Sequence, residues 1–194
     1  MGGVIDAVGE VRGELSRMDR ALYTAVATTP TPYLDDGLRD LSRAANKSVL
    51  WMAVAGGLAV VGGRRERRAA LTGIASIAAA SLLVNVGVKF LARRDRPDRQ
   101  EGPEDRYVPM PTSTSFPSGH SASAFAFAQG VSSVAPALSV PLHAAAAAVA
   151  YSRVHTGVHY PGDVVAGSLI GIVTGGTVSR LLNGRDGWLY MYGG

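Results

Sequence analysis

The chain contains no cysteine, which removes disulfides, thiolate metal sites and cysteine nucleophiles from consideration. Histidine occurs only four times, so chemistry carried by imidazole must come from very few positions. Charge is missing in blocks. No Asp, Glu, Lys or Arg occurs from Ser48 to Gly63, from Ala69 to Val88, from Ser121 to Ser152 or from Val164 to Ser179. An apolar core is missing from the N-terminus, MGGVIDAVGEVRGELSRMDR, so no signal peptide is read there and targeting is expected to rest on the first membrane span. The net charge of +4 is split among loops with no aromatic-interleaved platform, so nucleic acid is not an expected partner.

What is present is a set of runs long enough to cross a bilayer, which takes roughly 20 mainly apolar residues and at least about 17. The second run meets this, the fourth does if extended to Leu182, and the first is marginal. The third is too long for one span, and Pro136 and Pro141 divide it into a helix hairpin. A soluble Ala-rich bundle is the competing class, but its helices need polar faces that Ala69–Val88 and Val164–Ser179 do not offer. Small residues, with GlyGly at 56–57, 62–63 and 175–176, suit close helix packing in lipid. The expectation is therefore an all-α, multi-pass transmembrane bundle of about five spans. By length it is one domain, with a polar, amphipathic, interfacial segment over 1–47 and the membrane domain over 48–194. Leu34, Leu38 and Leu41 recur at helical spacing among Asp35, Asp36, Arg39 and Asp40, the pattern of a surface helix.

Five spans bring three polar clusters to one face. KFLARRDRP places Lys89 at a span end and Arg96 seven residues on, two cations able to clamp phosphate oxygens. Cations after a span also serve as topology signals, so this cluster is weak alone. PSGHS, from Pro117 to Ser121, opens an apolar helix whose N-terminus is an anion site. Gly119 lets a ligand approach the backbone, and His120 beside it can donate a proton. Ser118 fits either as part of that site or simply as an N-cap. In YSRVHTGVHYPGDVV, Arg153 offers another fork of donors and Asp163 lies four residues after His159. The carboxylate can hold one ring nitrogen and leave the other as a nucleophile. A metal triad of two histidines and a carboxylate competes, but the cations would repel a metal and attract phosphate. Each such contact at 4 Å is worth roughly 4 kcal/mol at an effective dielectric of about 20, before desolvation. No metal and no cofactor are expected. His143 is read as a loop or interfacial residue on the far face, and His155 is left without a catalytic role.

These motifs resemble those of the type 2 phosphatidic acid phosphatase superfamily of integral-membrane lipid phosphatases. Lys89, six intervening residues and Arg96-Pro97 match the first signature, Pro117–His120 the second, and Ser152-Arg153, five residues, His159, three residues and Asp163 the third. The resemblance implies that His159 attacks phosphorus to form a phosphohistidine, that Asp163 orients it, and that His120 protonates the leaving oxygen and then activates water. Lys89, Arg96, Ser118, Gly119 and Arg153 would hold the phosphate, without metal. Ser152 belongs to the signature with no contact assigned. The vanadate-dependent haloperoxidases share the motifs but are soluble and much larger. Familiar bacterial members have six spans where this chain shows five.

The implied partners are the membrane and a lipid phosphate or pyrophosphate. A polyprenyl-linked substrate such as decaprenylphosphoryl-5-phosphoribose is preferred to phosphatidic acid, phosphatidylglycerophosphate or undecaprenyl pyrophosphate. Basic residues divide between the two sides, so charge does not orient the chain; the resemblance favours an extracytoplasmic site and leaves a cytoplasmic one open. A lipid-phosphate binder or transporter is the alternative class; it would need the cations but not an oriented nucleophile.

Overall fold

A computed structural model describes residues 2–91, 94–100 and 102–184. Among these the chain is all-α: α1 Gly2–Thr28, α2 Pro32–Ala44, α3 Val49–Val61, α4 Arg64–Leu82, α5 Gly119–Val134, α6 Ser139–His155 and α7 Pro161–Asn183. α4 continues through a π-helical turn, Leu83–Val88, into a last helical turn, Lys89–Leu91.

The boundaries follow local chemistry. Pro32 and Pro161 open α2 and α7, where a missing N–H costs nothing. Gly62 turns the backbone extended after α3, and the Gly63 N–H donates to Glu66 Oε2 at 2.8 Å to start α4. A tight 3-10 turn over Pro136–Leu138 separates α5 from α6 and makes the expected hairpin; Pro141 falls inside the first turn of α6.

α5 is central, flanked by α4, α6 and α7. Its Phe127 is fully buried and meets Trp51 of α3, with ring centroids 5.3 Å apart. α7 turns Gly167, Gly171 and Gly175 to α5, and a Cβ on Gly175 would stand 2.6 Å from the Ala126 carbonyl oxygen. Dispersion between closely approaching backbones holds helices where lipid is as apolar as the core. Gly56, Gly57 and Gly176 have open space around them, so of the expected glycine pairs at 56–57 and 175–176 only Gly175 serves this packing.

The number of long apolar helices among the described residues is smaller than the five spans expected. Among the described residues two helices are long and apolar enough to cross, Arg64–Val88 with mean hydropathy 1.9 and Pro161–Asn183 with 1.5. A third candidate is the pair α2 and α3, bent by 66°. α5 and α6 have 16 and 17 residues, because the 3-10 turn and its flanks consume the middle of the charge-free run. At 1.5 Å per residue they reach only about 24–26 Å, short of a bilayer core of about 30 Å.

The N-terminal segment does more than lie on a surface. Tyr23 and Ala27 of α1 pack beside Val154, and α2 buries Asp35 and Ser42 against α6. Arg106, buried in the loop before α5, pairs with Asp35 at 2.9 Å and donates to the Ala27 and Thr29 carbonyls, tying α1, α2 and that loop together.

Candidate active site

The site is assembled by backbone stitching between distant segments. The Ser118 N–H donates to the Asp163 carbonyl at 2.9 Å, and the Ser115 N–H to the Arg94 carbonyl at 2.9 Å. Between α6 and α7 the chain reverses at Gly157, whose φ of +69° and close neighbours Arg99 and Tyr23 disfavour a side chain. The Val158 and His159 N–H groups both donate to the Arg153 carbonyl, at 3.1 and 3.2 Å. The result is a short, buried turn that presents the His159 ring.

His159 is 2% exposed and held from both ends. Its Nδ1 lies 3.5 Å from Asp163 Oδ2 and 3.5 Å from Ser115 Oγ. Its Nε2 lies 3.4 Å from Arg96 Nη1. Burial pushes the His159 pKa down to about 4, opposed by the bond to Asp163 and reinforced by Arg96 and Arg153. The imidazole is therefore neutral at neutral pH, with a lone pair available.

Asp163 is fully buried and accepts from four sides. Ser115 Oγ makes a short bond to Oδ2, the Tyr160 N–H donates to Oδ2 at 2.9 Å, and Arg94 Nη1 donates to Oδ1 at 2.9 Å, alongside His159. The same Arg94 nitrogen pairs with Asp19 Oδ2 of α1 at 2.7 Å, and its guanidinium stacks 4.1 Å over the Tyr160 ring. Asp19 Oδ1 accepts from the Gly162 N–H at 2.7 Å.

Of the cations read from the sequence, Lys89 and Arg96 line a cleft of about 190 Å³ with Gly119, His120 and His159. Lys89 Nζ donates to Ser113 Oγ at 3.1 Å, and Arg96 donates to the Ser113 and Val158 carbonyls, which fixes both cations at the rim. His120 Nε2 lies 3.0 Å from Asn46 Oδ1. Ser118 is buried and does not line the cleft; its Oγ caps α5 by accepting from the Ser121 N–H and hydroxyl. The Gly119 and His120 N–H groups open α5, where the first N–H groups of a helix have no intrahelical acceptor. Arg153 is 1% exposed and outside the cleft lining, donating to the Ser42 hydroxyl at 2.6 Å and carbonyl at 3.0 Å.

Sequence reading missed six residues that contact the motif side chains or the turn beside them: Ser115, Ser113, Arg94, Asp19, Ser42 and Asn46. Ser115, three residues before Ser118, had a signal in its closeness to PSGH. Asp19 and Asn46 reach the site across 143 and 74 residues, and nothing local marks them. His155 joins the Asp35 and Arg106 cluster, with Nε2 3.0 Å from Asp35 Oδ1. His143 lies within α6, bonded to the Ser139 carbonyl at 2.9 Å and edge-on to Phe125. Among the described residues no three His, Asp or Glu side chains gather as metal ligands.

Residues 69–186 match the model of the PAP2 superfamily. The chain belongs to the PAP2 superfamily. It is accordingly a membrane phosphatase, a hydrolase of phosphomonoesters from a family that works without metal. Among PAP2 relatives it is similar to the decaprenylphosphoryl-5-phosphoribose phosphatase of Mycobacterium tuberculosis, 33% identical over 90% of this chain and 94% of that protein. It is also similar to the protein of the same name from Mycolicibacterium smegmatis, 37% identical over 78% and 82%. In fold it is similar to the transmembrane PAP2-type phosphatidylglycerolphosphate phosphatase from Bacillus subtilis, with a TM-score of 0.69, 23% identity and coverage of 91% and 88%. The PAP2 match starts at the second turn of α4, so Asp19, Ser42 and Asn46 all approach the motif residues from outside it.

Proposed function

We propose that the protein removes the terminal phosphate from a polyprenyl-linked sugar phosphate of the decaprenylphosphoryl-5-phosphoribose type, through a phosphohistidine on His159. The observation that carries the chemistry is the buried His159–Asp163 pair with a cation at the opposite ring nitrogen. A lipid-phosphate binder needs Lys89 and Arg96 but has no use for a neutral, oriented imidazole between them. The substrate choice rests on the printed names of relatives aligned over most of the chain.

In the first step His159 Nε2 forms a bond to phosphorus as the ester P–O bond breaks, and His120 gives its proton to the departing alkoxide. In the second, His120 takes a proton from water, the hydroxide attacks phosphorus, the N–P bond breaks and inorganic phosphate leaves. Asp163 and Ser115 hold Nδ1 throughout. Lys89, Arg96 and the Gly119 and His120 N–H groups face the oxygens where transition-state charge is carried, and Arg153 adds its field from behind. Arg96 relinquishes its contact with Nε2 to a phosphate oxygen when substrate enters.

In this reading α4 and α7 span the whole bilayer core, the shorter α3, α5 and α6 cross with their ends set inside it, and the site lies at the extracytoplasmic end. α1 rests on the bilayer surface, supported by Val11, Leu15, Met18 and Leu22, an exposed apolar stripe at helical spacing.

The test is a panel of four lipids with purified protein in detergent: polyprenyl phosphoribose, polyprenyl diphosphate, phosphatidic acid and phosphatidylglycerophosphate. Phosphate release should be fastest from the first, unchanged by EDTA and abolished in His159→Ala, with label from the substrate's phosphate trapped on His159 in the parent protein. Turnover by His159→Ala would end the mechanism, and preference for another lipid would end the substrate assignment.

A further inference from the structure

The cleft continues past the phosphate motifs. Ser81, Asn85 and Lys89 line it at four-residue intervals along α4 and its extension. Gly119 and Ser123, also four apart, line it along α5. Two polar stripes therefore run side by side from the phosphate end into the bundle, joined where Ser81 Oγ and Ser123 Oγ stand 3.2 Å apart. The stripe on α4 descends about 12 Å below Lys89 at 1.5 Å per residue.

Asn85 is out of place for a lipid-facing helix. Leu82, Leu83 and Val86 around it are exposed and apolar, and the helix is a candidate span. A carboxamide at such depth is costly unless it faces a polar cavity. The π-helical turn Leu83–Val88 sits at this point, with the Lys89 N–H bonded to the Val84 carbonyl five residues back. Such turns occur frequently at functional sites.

The bend between α2 and α3 also lines the cleft, beside His120. Lys47 and Ser48 line the cleft, and both are held in the left-handed region, with φ of 52° and 58°. Two consecutive non-glycine residues in that conformation are strained, a condition found where a chain clamps a ligand. No acidic side chain is among the described residues lining the cleft, while Lys47, Lys89 and Arg96 all are. Three cations match a phosphomonoester dianion together with one phosphodiester anion.

We infer that this inner part of the cleft is a head-group subsite for a polyhydroxylated ring set between two phosphates, with Ser81, Asn85 and Ser123 bonding its hydroxyls and Lys47 pairing with the phosphodiester that leads to the lipid. The inference rests on the phosphatase reading of the same cleft and assigns its substrate selectivity to residues outside the phosphate motifs. Phosphatidic acid offers neither hydroxyls nor a second phosphate, and its acyl esters would meet the polar stripe. A lipid diphosphate offers the charge but not the hydroxyls.

The experiment compares Asn85→Leu, Ser81→Ala, Lys47→Gln and the parent on a polyprenyl-phosphoryl sugar phosphate, a polyprenyl diphosphate and phosphatidic acid. Asn85→Leu should lower kcat/KM at least tenfold on the sugar lipid and less than twofold on the other two, and Asn85→Ser should recover part of the loss. Lys47→Gln should lower kcat/KM on the sugar lipid and leave phosphatidic acid within twofold. If Asn85→Leu does not fold, Ser81→Ala reads the same subsite. Equal losses on all three lipids, or none on the sugar lipid, would overturn the subsite while the phosphatase reading stands. A parent protein that leaves the sugar lipid intact would sink the substrate reading and the subsite with it.

Discussion

At the scale of residues, the carboxylate beside His159, the proposed nucleophile, is held by a hydroxyl that belongs to no signature motif. Ser115 donates to Asp163 Oδ2, the same oxygen that faces His159 Nδ1. It therefore fixes the carboxylate and shares its negative charge. Replacing it with alanine leaves more of that charge to the imidazole, which favours the protonated ring, so the His159 pKa rises from about 4. A protonated ring cannot attack, and kcat/KM reports groups in the free enzyme. Ser115→Ala should move the acid limb of the kcat/KM profile to higher pH and lower kcat about tenfold, a barrier increase of about 1.4 kcal/mol. A merely structural serine would lower activity without moving the limb. The signature positions themselves were legible because each carries its chemistry in a short spacing. Ser118 and Arg153 show the limit of that reading. Both of the roles read for Ser118 were open in the motif, and the cap is the one its hydroxyl fills; nothing in the motif announced Ser42, which engages Arg153.

At the scale of elements, the helix limits could be read from charge gaps and prolines, and the observed α5, α6 and α7 begin and end within a few residues of expectation. Whether a helix reaches across the bilayer could not be read that way, because the charge-free run from Ser121 to Ser152 does not reveal how many residues its turn consumes. Glycine pairs were equally ambiguous. Gly175 and Gly176 are neighbours in sequence, yet only Gly175 faces α5. This gives a sharp contrast. Gly175→Ala puts a methyl group 2.6 Å from the Ala126 carbonyl oxygen and 3.0 Å from Gln129 Cβ, so α7 must shift off α5. Overpacking of this kind costs about 1–3 kcal/mol. Gly176→Ala meets nothing within 4 Å and gains helix propensity. Thermal unfolding in detergent should show a lower Tm for the first and an equal or higher Tm for the second. Equal losses in both would mean that α5 and α7 do not meet along this stripe.

At the scale of the whole molecule, the N-terminal helices complete a site whose recognisable motifs all lie between Lys89 and Asp163. α1 reaches the catalytic turn through Asp19, which accepts from the Gly162 N–H and shares Arg94 with Asp163. α2 reaches Arg153 through Ser42, and the bend after it reaches His120 through Asn46. No sequence pattern announces such contacts, because the partners are far apart along the chain and sit among ordinary surface charges. Asp19 tests whether this N-terminal cover acts in catalysis or only in stability. Without its carboxylate, Arg94 answers to Asp163 alone and the Gly162 N–H loses its acceptor, so the turn bearing His159 is free to shift. Misplacing a reacting group by about 1 Å can cost on the order of 100-fold in rate, and a partial loosening costs less. Asp19→Ala should lower kcat about tenfold with KM changed less than twofold, since Asp19 is not among the residues that line the cleft. Asp19→Asn, which keeps an acceptor for Gly162 but no charge for Arg94, should fall between. A rise in KM with kcat intact would instead place α1 in substrate capture, and unchanged kinetics with a lower Tm would reduce it to a structural brace.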